Sequence, residues 1–432
     1  MKLIDKNKIL TKSTLTLFLR LTGLFISFLF MKYVISNFGK DIWGQYFYFE
    51  KTLLLLTMLS TFGLSTVGVK FISKYYSSQK YLEIKKIYYQ IIFIVSIISL
   101  LIILISLFVY LNFDNQSNML FFIIISLLPS SILFINSDYF RSIDRTILFS
   151  LTNKNSYVIA STYIFLLIYV LSDYNVVSLF SFYFISLLLF FFISTVYIIF
   201  KLSKFKFSGN ILSISVLKKL LSTSFPILLS SFMLLLMQWV DVFILKMNVG
   251  FNELGTYGTI VKFSSINTII LYSVNSIAAP NISKYFHSND ITSLRKTIYQ
   301  VSKIIFIFSI PLILIQFIFP EFIYFFDPTI LDNSNSIVAF RILLLAQLIN
   351  SVSGPVGQIL LMTNKEKKFR NIIFISLVVN VFLNIILIPL FGTVGAAYST
   401  IISISIWNLS SVLLVKKYFN ILTIYWPGKR FE

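Results

Sequence analysis

The stretch FGKDIWGQYFYFEK (Phe38–Lys51) returns as VGFNELGTYGTIVK (Val249–Lys262), with Gly39, Gly44, Tyr46 and Lys51 meeting Gly250, Gly255, Tyr257 and Lys262. After a one-residue slip, Ile72-Ser73-Lys74-Tyr75 meets Ile282-Ser283-Lys284-Tyr285, and Lys86, Tyr89 and Gln90 meet Lys296, Tyr299 and Gln300. Runs of Ile and Phe match by chance in an apolar chain, whereas glycines, lysines and a shared ISKY do not. The pattern reads as an internal duplication, a mark of secondary transporter folds.

Working outward, composition sets the solvent. Hydrophobic residues make up 57% and charged residues 12% of the chain, and the mean hydropathy is +0.88. A soluble surface needs near 25% charged residues, so this chain belongs in a bilayer. The first apolar run, Ser13 to Tyr33, is too long for a signal-peptide core and has no small-residue cleavage site after it, so it is expected to span. The absence of Cys excludes disulfides and thiolate metal sites.

Windows of about 20 apolar residues predict an all-α membrane protein of twelve spans. They run 12–36, 43–69, 87–111, 119–140, 150–171, 177–200, 223–245, 254–282, 298–319, 337–362, 371–391 and 394–415. Six precede and six follow a polar connection. The expected domains are an N-terminal lobe at 1–200, an amphipathic cytoplasmic linker at 201–222, a C-terminal lobe at 223–415 and a tail at 416–432. In the linker Ile211, Ile214, Leu217 and Leu221 fall at helical spacing, as for an interfacial helix.

The 36 Lys and Arg against 16 Asp and Glu give a net charge of +20, which on a soluble protein would suggest nucleic acid. Here the charges alternate with the gaps. The N-terminus carries Lys2, Lys6, Lys8 and Lys12, and alternate gaps carry clusters such as Lys80, Lys85 and Lys86, or Lys365, Lys367, Lys368 and Arg370. The intervening gaps hold Asp41, Asp114, Asp173, Glu253, Glu321, Asp327 and Asp332, with only Lys40 and Lys246 as bases. By the positive-inside rule both termini are cytoplasmic, and no nucleic-acid partner is expected. Six spans per half is an even number, so the two lobes should be related by a pseudo-two-fold axis along the membrane normal.

Ionisable residues inside a membrane usually face a bundle interior or a watery cavity, because a charge at mid-bilayer costs several kcal/mol. In the first span Ser13, Thr16, Arg20, Gly23 and Ser27 share one face, which should line a cavity, and Arg20 lies too deep to snorkel comfortably. Lys32, near the outer end, is read as snorkelling. The second span brings Glu50 and Lys51, and the eighth repeats the lysine as Lys262. Two readings stand open: a lysine paired or snorkelling locally, or one cation per lobe on opposite walls of a central cleft. In the seventh span Ser224, Ser231, Gln238 and Asp241 form a stripe, with Asp241 as an ion-coupling carboxylate or a counter-ion. Asp138, one turn before Arg141, reads as a local ion pair. In the tenth span Gln347, Ser351, Gly354 and Gln358 align while Pro355 interrupts the helix, an arrangement suited to a transport site. Arg341 enters the same span from outside, and Pro129 and Pro226 mark expected kinks.

Catalytic and metal chemistry find no footing. The lone His287 falls in a predicted cytoplasmic loop. The pairs Gly39/Gly44 and Gly63/Gly68 have phosphate-loop spacing but are followed by Gln45 and Val69 where Lys is required. Neither an enzyme nor a cofactor is expected.

Phe62-Gly63-Leu64-Ser65-Thr66 with Gly68 and Lys70, together with Asn380, Asn384, Pro389, Gly392, Gly395, Ala396 and Ala397, resemble the polysaccharide transporters of the multidrug/oligosaccharidyl-lipid/polysaccharide (MOP) exporter superfamily, which includes the O-antigen flippases. The resemblance covers nearly the whole chain and implies a MATE-like fold. It implies a flippase in the cytoplasmic (inner) membrane that moves an undecaprenyl-diphosphate-linked oligosaccharide outward by alternating access. An H+ or Na+ counter-ion, a polysaccharide polymerase and a chain-length regulator are the partners that follow from it. Relatives handling cell-wall precursor use an arginine in a context similar to Phe18-Leu19-Arg20-Leu21-Thr22-Gly23, but a charged pair further along that helix is replaced here by Ile26 and Ser27. The expected substrate-binding residues are thus Arg20, Ser27, Lys51, Gln238, Lys262 and Gln358, with Glu50 and Asp241 for ion coupling or as counter-ions. A multidrug or cation antiporter of the same superfamily is the alternative; it should show more cavity carboxylates than cations, whereas Glu50 and Asp241 stand against Arg20, Lys51 and Lys262. A membrane polymerase would want large Arg-rich outer loops, and an acyltransferase an intramembrane His.

Overall fold

In hydrocarbon a backbone can satisfy its polar groups only within a helix or a closed barrel, and this apolar chain takes the first course. The structure, a computed structural model, describes residues 6–113, 118–143, 145–152, 176–205, 213–328, 330 and 334–425. The helices are α1 (Lys6–Phe38), α2 (Lys40–Thr61), α3 (Leu64–Ser77), α4 (Tyr81–Phe113), α5 (Asn118–Ser142), α6 (Thr146–Thr152), α7 (Val176–Ser203), α8 (Ile214–Ser264), α9 (Ile266–His287), α10 (Ile291–Ile318), α11 (Ser334–Val352), α12 (Val356–Met362) and α13 (Glu366–Phe419), with a 3-10 turn at Pro320–Phe325. Among the described residues seven helices are long and apolar enough to cross a membrane, or eight if α2 and α3, bent by 53°, form one span. Each predicted span except the fifth falls on described helices, the second, eighth and tenth on two consecutive ones. The fifth, at 150–171, lies outside the described residues beyond Thr152.

Two helices hold two predicted spans apiece. Gly250 (φ 77) breaks α8 between the predicted seventh and eighth spans, and Gly392 (φ 55) breaks α13 between the eleventh and twelfth. Gly39, the partner of Gly250 in the repeat, likewise has a positive φ, 86, and separates α1 from α2. Pro355 interrupts the tenth span as expected: α11 ends at Val352, Gly354 turns at φ 72, and α12 begins after Pro355. Pro129 and Pro226 instead sit inside α5 and α8.

The chain forms two compact units. The first comprises Met1–Phe38 with Phe49–Phe232, the second Gly39–Tyr48 with Met233–Glu432. In the first, Leu64, Val67, Ile84, Tyr88, Ile91 and Phe140 build the core where α3, α4 and α5 meet. In the second, Ile282, Ile298, Ile305, Ile359 and Val415 do the same for α9, α10, α12 and α13. Large apolar side chains also point outward, among them Leu104 and Ile105 of α4, Ile193 of α7 and Phe382 of α13. A surface of that kind suits lipid rather than water.

In the described part of the connection two residues of the predicted stripe face outward. From Ile214 it is continuous with α8, Ile214 is 84% exposed and Leu221 is exposed, while Leu220 is 1% exposed and sits in the core with Val216 and Leu217 against it. Ile211 lies outside the described residues.

Candidate functional site

Within the second unit the two copies of the repeat meet at their glycines. A Cβ on Gly44 would lie 1.9 Å from the Phe251 carbonyl oxygen, and one on Gly255 would lie 2.2 Å from that of Lys40. Only a side chain of hydrogen lets the backbones cross this closely, which explains why a glycine recurs at this position of both copies. Around the crossing, Phe47 packs edge-on to Trp239, and Tyr48 edge-on to Phe243 and Phe251. The two lysines that break the charge alternation are both accommodated here: Lys40 pairs with Asp327 at 3.5 Å, and Lys246 lies over the rings of Tyr48 and Phe251.

One helical stretch further, the repeated lysines have different surroundings. Lys51, in the first unit, is only 9% exposed and stands 3.5 Å from Glu50, whose side chain is 41% exposed. Lys262, in the second unit, is half-buried with its ammonium 5.0 Å from the centre of the Trp43 ring, a cation–π contact. Burial of an ammonium is costly unless something compensates it, and the Glu50 carboxylate stands within reach to do so.

Asp241 is a second buried charge site. It is 4% exposed, accepts a short hydrogen bond from the Tyr257 hydroxyl, and accepts another from the Val242 N–H at 2.8 Å, with Thr400 as a further hydroxyl partner. Tyr257 belongs to the repeat, and its relation to Asp241 could have been found from the sequence only by pairing the two spans.

The remaining expected residues divide. In α1, Gly23 and Ser27 are buried, in keeping with a stripe that faces inward; the side chains of Thr16 and Arg20 lie outside the described residues. In α8, Ser224 and Asp241 are buried but Gln238 is exposed, so the predicted stripe does not keep one environment along its length. In α11 and α12, Gln347 and Gln358 are half-buried and Ser351 is 1% exposed; among the described residues the Gln347 amide oxygen and Ser351 hydroxyl find no hydrogen-bond partner, leaving polar capacity beside the Gly354 turn. Arg341 is exposed, donating to the Phe317 carbonyl at 3.3 Å and lying over its ring, consistent with snorkelling.

Asp138 and Arg141 form the expected i,i+3 pair at 3.9 Å. Sequence reading stopped there and missed that both line a cavity at the bend between α2 and α3. The bend is set by Phe62 (φ 50) and Gly63 (φ 70). A Cβ on Gly63 would fall within 2.8 Å of the Ser224 carbonyl oxygen, so α8 fixes the floor of this cavity. Among the described residues no group of His, Asp and Glu could hold a metal ion.

Comparison with solved structures shows the fold. An inward-facing multidrug resistance MATE family transporter of the MOP superfamily superposes with a TM-score of 0.68 at 13% identity, over 93% of this chain and 98% of that one. The fold is therefore that of the MATE transporter, in a multi-pass membrane protein. The family model described as "Polysaccharide biosynthesis protein" matches residues 9–286, well over half of the chain, and this protein belongs to that family; a second model, "MatE", matches 226–386. Two relatives from Haloferax volcanii are similar over shorter stretches. "Probable low-salt glycan biosynthesis flippase Agl15" is 25% identical over 39% of this chain and 35% of its own length. "Probable flippase AglR" is 22% identical over 41% of this chain and 38% of its own. The match thus spans little more than a third of either relative.

Proposed function

We propose that this protein is a flippase, a transporter rather than an enzyme, that carries a polyprenyl-diphosphate-linked oligosaccharide from the cytoplasmic to the outer leaflet of the cytoplasmic membrane by alternating access. The observation that carries the reading is the nearly buried ammonium of Lys51 inside an apolar span of a chain in the polysaccharide biosynthesis family. A diphosphate bearing sugars cannot cross hydrocarbon, because unpaired charge and unsatisfied hydroxyls are too costly to bury there; a path lined by cations and amides lowers that cost. Arg20, Lys51 and Lys262 are proposed to meet the diphosphate, and Ser27, Gln238 and Gln358 the sugars. Glu50 and Asp241 serve as counter-ions or carry H+ or Na+. The carrier lipid is undecaprenyl diphosphate, the glycan an O-antigen or similar repeat unit, and a polymerase with its chain-length regulator takes the product. Charge alternation puts both termini in the cytoplasm.

With the cell interior negative, outward movement of an anion is downhill by about 2.3 kcal/mol per charge per 100 mV. Ion coupling then serves the return of the empty carrier more than the export step. Deleting the gene tests the reading: lipid-linked repeat units should accumulate on the cytoplasmic face. Unchanged glycan export with a new sensitivity to cationic drugs would contradict it.

A further inference from the structure

The first unit holds a cavity of about 210 Å³ between the α2–α3 bend and the C-terminal end of α5. Its wall carries one acid and one base, Asp138 and Arg141, the rings of Phe134 and Phe149, and the hydroxyls of Ser65 and Ser137. The Asp138 side chain is 15% exposed and the Arg141 side chain 61%, so the carboxylate lies within and the guanidinium at the mouth. Ser65 hydrogen-bonds the carboxylate, and the guanidinium lies 5.7 Å from the centre of the Phe149 ring.

This mixture selects its ligand by elimination. Asp138 repels a diphosphate, and Arg141 repels a bare cation, so the pair offers no net attraction to either. What it complements is an uncharged, hydroxyl-rich ring with one apolar face. The carboxylate accepts from neighbouring hydroxyls, the guanidinium and serine hydroxyls donate, and a phenyl ring covers the C–H face. Pockets for drug-sized ligands measure roughly 300–1,000 Å³; this smaller space suits a single pyranose. We propose that the cavity is a subsite for one sugar residue of the transported glycan, with Asp138 and Arg141 reading its hydroxyls and Phe149 its apolar face. The proposal rests on the glycan-flippase reading. Arg141 and Arg145 mark the cytoplasmic end by charge, so the sugar is engaged on the side from which the substrate loads.

The test uses full-length protein in nanodiscs and saturation-transfer NMR with the methyl glycosides of glucose, galactose and N-acetylglucosamine, and with inorganic pyrophosphate as competitor. At least one glycoside should receive saturation that pyrophosphate does not displace. Asp138→Asn should weaken it about tenfold, the loss of a hydrogen bond to a charged group. Phe149→Leu should weaken it too, and Arg141→Gln, at an exposed position, provides a variant that keeps the fold. No contact with any glycoside, contact unchanged in all three variants, or displacement by pyrophosphate would each overturn the proposal. A parallel flipping assay separates the two ideas. Flipping without glycoside contact removes the subsite alone, whereas Asp138-dependent contact without flipping keeps the subsite and removes the transport reading.

Discussion

At Ser78–Lys80 and again at Ser288–Asp290 the chain makes the same turn. Ser78 and Ser288 donate N–H bonds to the carbonyls of Lys74 and Lys284, Gln79 and Asn289 to those of Tyr76 and Phe286, and Lys80 and Asp290 to those of Tyr75 and Tyr285. Gln79 (φ 57) and Asn289 (φ 55) take the left-handed conformation that ends many helices. Between Gly39 or Gly250 and this turn, however, the copies part. The first bends by 53° at Phe62–Gly63, opening the cavity around Asp138. The second is interrupted only at Ser265, which stays right-handed and keeps its N–H bond to the Val261 carbonyl at 2.9 Å. The first buries Lys51, while the second leaves Lys262 half-buried against Trp43. The ends of a duplicated element are held by backbone geometry, and the middle is free to acquire a site.

The largest effect expected from this comparison is at the crossing. Gly44→Ala and Gly255→Ala each drive a Cβ into backbone, and overpacking that side chains cannot relieve should cost about 3 kcal/mol or more. Gly39→Ala and Gly250→Ala point into open space and should cost less, about 1–2 kcal/mol from the positive φ alone. Thermal unfolding of the detergent-solubilised protein separates the two pairs; equal losses would mean that the crossing is not the constraint.

The lysines come next. Lys51→Ala is expected to lower flipping about tenfold or more with normal membrane insertion. Lys262→Ala should have a smaller effect, since a cation–π contact is worth about 0.5–2 kcal/mol. Equal effects would mean that the two lysines act alike despite their different surroundings.

A smaller difference lies at the starts of α4 and α10. Asp290 caps α10, accepting from the Ser293 N–H at 3.0 Å and the Thr292 hydroxyl at 2.8 Å, whereas the first copy has Lys80 there. The hydrogen bonds of Ser293, and then of Thr292, hold the Asp290 carboxyl below its usual range. A lowered folded value means that the cap is fully present above about pH 4, the ordinary carboxylate value, and fades as pH falls through the folded one. The protection of the Ser293 amide, its exchange relative to the intrinsic rate at each pH, should therefore fall on acidification in a way that Glu83, at the matching place after Lys80, does not share. Lys80→Asp should stabilise the first turn by about 1 kcal/mol, the usual worth of an N-cap. Smallest of all, Gln79→Gly should stabilise by about 0.5–1 kcal/mol and Asn289→Gly by less, because Asn tolerates the left-handed region; melting curves of the two variants decide it.

The repeat, the charge alternation and the break at Pro355 were legible in the sequence because Gly, Pro, Lys and Asp are rare enough in an apolar chain to carry position. Burial was not. Helices that face lipid on one side and protein on the other are apolar all round, so hydrophobicity does not say which side is which. Thus the linker pattern did not single out Leu220 for the core, nor did the stripe through Gln238 and Asp241 say which of the two is exposed. The bend at Phe62–Gly63 escaped for another reason: FGLST looks like a helix end, but its angle is fixed by the approach of α8 at Ser224, a tertiary contact. The cavity at Asp138 follows from that bend and was equally hidden, since an i,i+3 acid–base pair reads the same whether or not space surrounds it.

The most direct test of the central claim is transbilayer movement of a fluorescent polyprenyl-diphosphate-linked glycan in proteoliposomes containing the purified protein. The account predicts protein-dependent flipping that is accelerated by a potential drawing anions across in the export direction and is lowered about tenfold or more by Lys51→Ala. Flipping no faster than in protein-free vesicles, or unaffected by loss of Lys51, would contradict it.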